Sequence, residues 1–147
     1  MNLKYETSFT VYPQHTNCKS PLIFGGAFFG EIDKAAATAV RRFLYSSRTC
    51  ETAVTYTHEG KFLKPCYMGD LIFLEAEILS VGNKSVVVEV NSFRETSNEG
   101  LVVREHVAHT KFVFVTLAND DQVDNKPNLL PYCPHGVAMS QKFDSIQ

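Results

Sequence analysis

In a chain whose other strong segments all alternate in the manner of strands, one stretch repeats at the helical period: Ile23 to Arg42, IFGGAFFGEIDKAAATAVRR. With Ile32 at the centre and a step of about 100° per residue, Phe28, Phe29, Ala35, Ala36, Ala39, Val40 and Phe43 gather on one side. Lys34, Thr38 and Arg41 gather on the other. The stretch opens on a Gly-Gly pair and is expected to run as a helix to about Ser46. Its apolar side must be buried. Asp33 falls at the margin of that side, beside Val40, and its neighbours three back and four on are Gly30 and Ala37. Both are small, so space is left over the carboxylate. A carboxylate at an apolar margin under a gap is a candidate site, and a boundary Asp bonded to a neighbour is the plainer alternative. Glu31, next to Lys34 on the other flank, reads as solvated.

What can cover that helix is set by the rest of the chain. Lys4 to Tyr12 alternates, with Tyr5, Thr7, Phe9 and Val11 on one face, and Pro13 ends it. Gln14 to Leu22 is rich in turn formers and reads as a loop. Thr52–Leu63, Leu71–Val81, Ser85–Arg94 and Leu101–Leu117 are expected strands, joined at Lys64–Asp70, Gly82–Lys84 and Thr96–Gly100. Long neighbouring strands with short connections predict one antiparallel sheet of five to six strands curled around one long helix, an α+β domain. Val86–Val88 and Val113–Val115 are apolar on successive positions, so part of the sheet is expected to be covered on both sides by a second subunit. Residues 1–131 are expected to form a single domain, with Leu129-Leu130-Pro131 as a short apolar clasp and 132–147 as a poorly ordered tail.

The totals exclude several classes of function. Of 147 residues, 20% are charged and the net charge is −2, so no basic field points to nucleic acid or an anionic membrane. No apolar run approaches the roughly 20 residues needed to span a bilayer, and the first residues lack the pattern of a signal peptide. A cytoplasmic location is expected. Cys18, Cys50, Cys66 and Cys133 stand apart with no C-x-x-C pair and read as free thiols. Cys133 and His135 alone do not make a metal site. His106 and His109, three apart in a strand, are expected on opposite faces. No metal is implied.

In order along the chain, Thr16-Asn17, Ile23-Phe24-Gly25-Gly26, Ile32-Asp33 with its alanines, Val54-Thr55, Phe62-Leu63-Lys64-Pro65, Gly69-Asp70, Gly82, Ser85 and Leu130-Pro131 resemble the hotdog-fold acyl-CoA thioesterases, in particular the bacterial short-to-medium-chain hydrolases. The resemblance spans roughly residues 7 to 131. It departs at Ser20-Pro21-Leu22, where a polar turn is usual and about one residue is inserted, and at Ala37, where some such enzymes carry a hydroxyl one turn beyond the acid. The family's members implied here are homo-oligomers, dimers at least and in cases tetramers or hexamers. CoA enters as part of the substrate and no separate cofactor is implied.

Thioester hydrolysis needs a site for the developing oxyanion and a group that activates water or attacks directly. The helix start offers the first: its unpaired amides and positive dipole end lie next to Gly25 and Gly26, and glycine lets a carbonyl approach closely. Asp33 is the candidate base or nucleophile. Eight helical positions separate it from Gly25, about 12 Å along the axis, too far for both to act on one carbonyl. The acid is therefore expected from a second copy. By the resemblance, Asn17 orients the water or the thioester and Thr55 supports the site. Lys64, Asn83 and Ser85 are the implied contacts to the phosphates of CoA, and Phe24, with Phe28 and Phe29, lines an acyl channel. Two other readings remain open on the sequence: a hotdog dehydratase or hydratase using His15 with Glu31 or Asp33, and a non-catalytic acyl-CoA-binding protein.

Overall fold

The computed structural model describes residues 3–47, 53–82 and 84–116. The expected strand at Lys4 is β1 (Lys4–Thr10), and the loop after it holds a short 3-10 turn, Pro13–His15. The helix α1 runs Gly25–Ser47, and four long strands follow: β2 (Ala53–Phe62), β3 (Leu71–Val81), β4 (Ser85–Asn98) and β5 (Leu101–Thr116). All pairings are antiparallel and the sheet order is β1-β3-β4-β5-β2. The helix touches every strand. The α+β sheet around one helix is thus observed, with five strands among the described residues. The expected clasp at Leu129–Pro131, the tail from residue 132, Cys50, Cys133 and Asn83 lie outside the described residues.

The helical period dictates how α1 sits. Phe28, Ile32, Ala35, Ala36, Ala39, Val40, Phe43 and Leu44 are all buried, while Lys34, Ala37 and Arg41 are exposed. Each of the large apolar chains contributes about 1.5–3 kcal/mol relative to exposure. The sheet answers with its inner face: Ile72, Leu74, Ala76 and Ile78 of β3, Val86, Val88 and Val90 of β4, and Phe112 and Phe114 of β5 are buried.

Strand regularity breaks where pairing shifts by one residue. At Val107 the register between β4 and β5 slips, from Ser92↔Ala108 to Phe93↔His106. This bulge corrects the expectation for the two histidines: with one extra residue between them, His106 and His109 lie on the same outer face, ring centroids 6.5 Å apart. His106 shares a 2.9 Å bond with Asn91 Oδ1, and His109 a 3.0 Å bond with Glu89 Oε2. A second correction concerns Thr96–Gly100. The β4–β5 hairpin continues to the pair Asn98↔Leu101, and only Glu99 and Gly100, both at positive φ, turn.

Gly60 is where two backbones come closest. A Cβ there would lie 2.6 Å from the His109 carbonyl oxygen and 2.9 Å from the Thr110 Cα. Gly60→Ala is therefore expected to destabilise the fold by about 1–3 kcal/mol, read as a lowered midpoint in urea with an unchanged slope.

Candidate functional site

The loop before α1 is tied to the rest by backbone. Phe24 N donates to His15 O at 2.7 Å, Ile23 N to Cys66 O at 2.9 Å, and Met68 N to Pro21 O at 2.8 Å. Phe24 O accepts the first helical bond, from Phe28 N at 3.0 Å. A phenylalanine in that place has no side-chain oxygen with which to cap the helix. Among the described residues no acceptor takes the amides of Gly25, Gly26 or Ala27. Three N–H groups at the positive end of the helix are thus left open.

They open beside a cleft of about 350 Å³ lined by Leu22, Ile23, Gly25, Phe28, Phe62 and Leu63, with Lys64, Pro65 and Cys66 completing its wall. The cleft is largely apolar, and Phe28 stacks on Phe62 within it at 5.3 Å. A Cβ on Gly25 would make ordinary contact with Phe62 at 3.6 Å. One on Gly26 would press on the Phe24 ring at 3.1 Å. Phe24 itself is 59% exposed.

Asp33, half-buried on α1, accepts a hydrogen bond at Oδ1 from the Thr55 hydroxyl, 3.2 Å away on β2. Thr55 pairs with buried Phe114, which puts it on the helix side of the sheet. Oδ2 has no partner among the described residues. The expected gap is present: a Cβ on Gly30 meets nothing within 4 Å, and Ala37 borders a hollow of about 290 Å³.

Other expected members are not brought together within one chain. Asn17 is exposed, and its Oδ1 accepts from the Lys19 amide at 3.3 Å. Lys64 lies at the cleft and pairs with Glu105. Ser85, which pairs with Val115, lies at the other end of the sheet. Nine strand positions separate Ser85 from Arg94, the partner of Glu105 across the sheet, about 30 Å of strand. Lys64 and Ser85 of one chain therefore cannot hold one phosphate cluster. Phe29 is half-buried against His58 and Phe112, at 4.8 and 5.8 Å between ring centroids, and packs with the core. His15 receives the Tyr12 amide at Nδ1, 2.9 Å, so in the neutral ring the proton sits on Nε2, which is 3.8 Å from Glu31 Oε1. Neither ring nitrogen offers the free lone pair a dehydratase base needs.

Sequence reasoning missed Arg94 and Glu105 beside the cleft, and gave Asp70, named in the resemblance, no role. Arg94 donates to Pro65 O at 3.1 Å, lies 3.5 Å from Asp70 Oδ2 and pairs with Glu105. Lys64, and next Arg94, hold the Glu105 carboxyl below the usual carboxylate range. No local pattern joins the set, because Asp70 comes from a loop, Arg94 from β4 and Glu105 from β5.

With the geometry in place, comparison with known proteins is informative. Residues 21–101 match the family model of the thioesterase superfamily. An acyl-CoA thioester hydrolase of Zymomonas mobilis, itself described as uncharacterized, is 27% identical over 132 residues, 90% of this chain and 81% of that one. An acyl-CoA hydrolase from Staphylococcus aureus, solved with butyryl-CoA, CoA and CoA disulfide, superposes with a TM-score of 0.70 at 26% identity, covering 89% of this chain and 71% of that one. Further structures of that hydrolase carry an alanine in place of one aspartate, one asparagine or one threonine. A hexameric hotdog-fold thioesterase of Campylobacter jejuni superposes with a TM-score of 0.68 at 25% identity, covering 95% and 92%. The fold is the hotdog fold. The chain belongs to the thioesterase superfamily.

Among the described residues no helix is long and apolar enough to cross a membrane, and no cluster of ligating side chains suits a metal ion. Burial pushes the Cys66 thiol up to about 11, against a smaller opposing pull from Arg94. At pH 8 it is a neutral, enclosed thiol. Brief alkylation by iodoacetamide with peptide mapping is expected to label exposed Cys18 and leave Cys66 unmodified; early labelling of Cys66 would mean that the cleft wall opens.

Proposed function

We propose that the protein hydrolyses acyl-CoA thioesters to CoA and a carboxylic acid at a site shared between two subunits. The observation that carries this reading is the set of open amides at Gly25, Gly26 and Ala27, beside an apolar cleft. Placed there, a thioester carbonyl meets donors that gain strength as negative charge develops on its oxygen. The cleft offers apolar surface to the acyl group, and Phe28 lines it while exposed Phe24 does not. Lys64 at the rim supplies a cation for the phosphates of CoA. CoA is part of the substrate, and the mechanism calls on no separate cofactor.

The acid comes from the other subunit. Asp33 is about 12 Å along the helix from the amides of its own chain, and its Oδ2 has no partner among the described residues. Thr55 fixes the carboxylate through Oδ1. Asp33 then removes a proton from water or attacks the carbonyl itself, and Asn17 of the loop orients the water. A two-fold assembly is supported by β2. It is one edge of the sheet, paired among the described residues only to β5, and carries exposed Val54, Tyr56 and Phe62 next to exposed Leu63, Tyr67 and Met68. An edge strand whose first half, Ala53–Thr57, carries no charge calls for a partner. In such an assembly the phosphate contacts divide too, Lys64 from one chain and the turn of Asn83 and Ser85 from its mate. Assembly beyond the dimer is consistent with the hexameric relative.

Asp33→Asn is nearly isosteric and is expected to lower kcat/KM on butyryl-CoA by at least about 100-fold with an unchanged melting temperature; full activity in this variant would remove the acid from the reaction. Label entering Asp33 in a single turnover in 18O-labelled water would mean that its carboxylate attacks, expels the CoA thiolate and is released when water opens the anhydride at the aspartyl carbon. Gly26→Val should block the amides. Mixed refolding of Asp33→Asn with Gly26→Val chains is expected to restore about a quarter of wild-type activity, since half the dimers hold one intact site of two. No recovery would place the whole site in a single subunit.

A further inference from the structure

The helix start is an odd place to leave rigid. It has no side-chain cap, begins with two glycines, and follows a loop broken by Pro21. Its position relative to the sheet comes from the segment Leu63–Asp70, since Ile23 N bonds to Cys66 O, Met68 N to Pro21 O, and Leu22 bridges to Tyr67. What holds that segment is therefore what holds the amides.

One side chain grips it at both ends. The Arg94 Nη1 donates to Pro65 O at 3.1 Å and lies 3.5 Å from Asp70 Oδ2. Asp70 Oδ2 in turn accepts the Tyr67 amide at 2.8 Å. Nη2 pairs with Glu105, which also takes Lys64, so the carboxylate ties the same arginine to the lysine at the cleft rim. The base of the segment is fixed independently, for the Val107 carbonyl accepts both Leu63 N at 2.8 Å and Lys64 N at 3.3 Å. That carbonyl belongs to the bulged residue, and the same bulge sets Glu105 directly opposite Arg94. The Arg94 Nε is buried without a partner among the described residues. A side chain chosen for stability alone would not leave that Nε–H unmet. Arginine is needed because only its planar fork reaches a carbonyl and two carboxylates at once.

We propose that Arg94, with Asp70 and Glu105, is a positioning residue for the reaction: it fixes the open amides of Gly25–Ala27 relative to the sheet through the Leu63–Asp70 segment, while Glu105 keeps its own hold on Lys64. This rests on the thioesterase reading for its kinetic consequence, and it has a structural consequence that does not. The positioning acts on the transition state more than on binding, because amides displaced by a fraction of an ångström lose oxyanion stabilisation while the cleft still accepts CoA.

The test uses the full chain with Arg94→Met, Arg94→Lys and Asp70→Asn. In Arg94→Met, kcat on butyryl-CoA is expected to fall at least tenfold with KM, and the dissociation constant of CoA by calorimetry, changed less than threefold. Arg94→Lys should recover only part of the loss, and Asp70→Asn should show a smaller fall of the same kind. By hydrogen exchange, the amides of Ile23 and Met68 should exchange at least tenfold faster in Arg94→Met, with those of Val88 and Val90 unchanged. Wild-type kcat in Arg94→Met, or a fall matched by loss of CoA binding stoichiometry, would overturn the proposal, as would unchanged exchange at Ile23. If Arg94→Met does not fold, Asp70→Asn and Arg94→Lys carry the same readouts. If the wild type turns over no acyl-CoA, the functional reading fails while the exchange result still decides the positioning role.

Discussion

The burial of one helical stripe against the inner face of one sheet governs nearly everything else in this molecule. Phe28, Ile32, Val40, Phe43 and Leu44 have a single place to go, and the valines and phenylalanines of β4 and β5 provide it. Burying them fixes the rotation of α1 about its axis. Asp33 is then carried to the margin of the packed stripe, where Thr55 of β2 can reach it, and the Gly25 end is carried to the cleft under Leu63–Cys66. The packing that folds the chain thus sets the acid and brings the helix start to the cleft, and what remains is to hold the amides there.

How much of this was legible follows from which patterns are local. The helix and five strands are written in period, and Leu71–Val81 has the same limits in the structure as in the sequence. Asp33 and the Gly-Gly pair could be singled out because their surroundings are helical neighbours at fixed offsets. The role of Thr55 came from the resemblance, and its side chain does meet Asp33. Bulges are the opposite case. Nothing in REHVAH announces that Val107 will be the extra residue, so alternation put His106 and His109 on opposite faces and left Glu105 unconnected to Arg94. A slip of one residue exchanges the faces. Lys64 and the turn at residues 82–85 illustrate another limit: their places in the chain say nothing of the sheet length between them.

The exposed edge follows from the same economy. A sheet in the order β1-β3-β4-β5-β2 leaves two edges among the described residues, and they differ in where their charge lies. β1 shows Lys4 and Glu6 to solvent, with Lys4 paired to Glu77 and Arg104 bridging Glu6, Glu75 and Glu95. Charge of that kind discourages strand addition. β2 lacks it at Val54 and Tyr56, on the strand that also carries Thr55. The edge suited to a second copy and the residue that steadies the acid are therefore adjacent, which is what a site divided between chains requires.

Stability and function pull in different directions at the start of α1. A serine or aspartate in place of Phe24 would satisfy one of the open amides and strengthen the helix by about 1 kcal/mol. On the proposed function it would also fill the position of the substrate oxygen. Leaving the amides bare therefore requires that the helix start be held by something other than a cap. The backbone bonds from His15 and Cys66 do this directly, and the grip of Arg94 on Pro65 and Asp70 does it at one remove. The network of charges beside the cleft is then the counterpart of the missing cap: rigidity is moved from the donors themselves, where it would block a ligand, to the segment behind them, where it cannot.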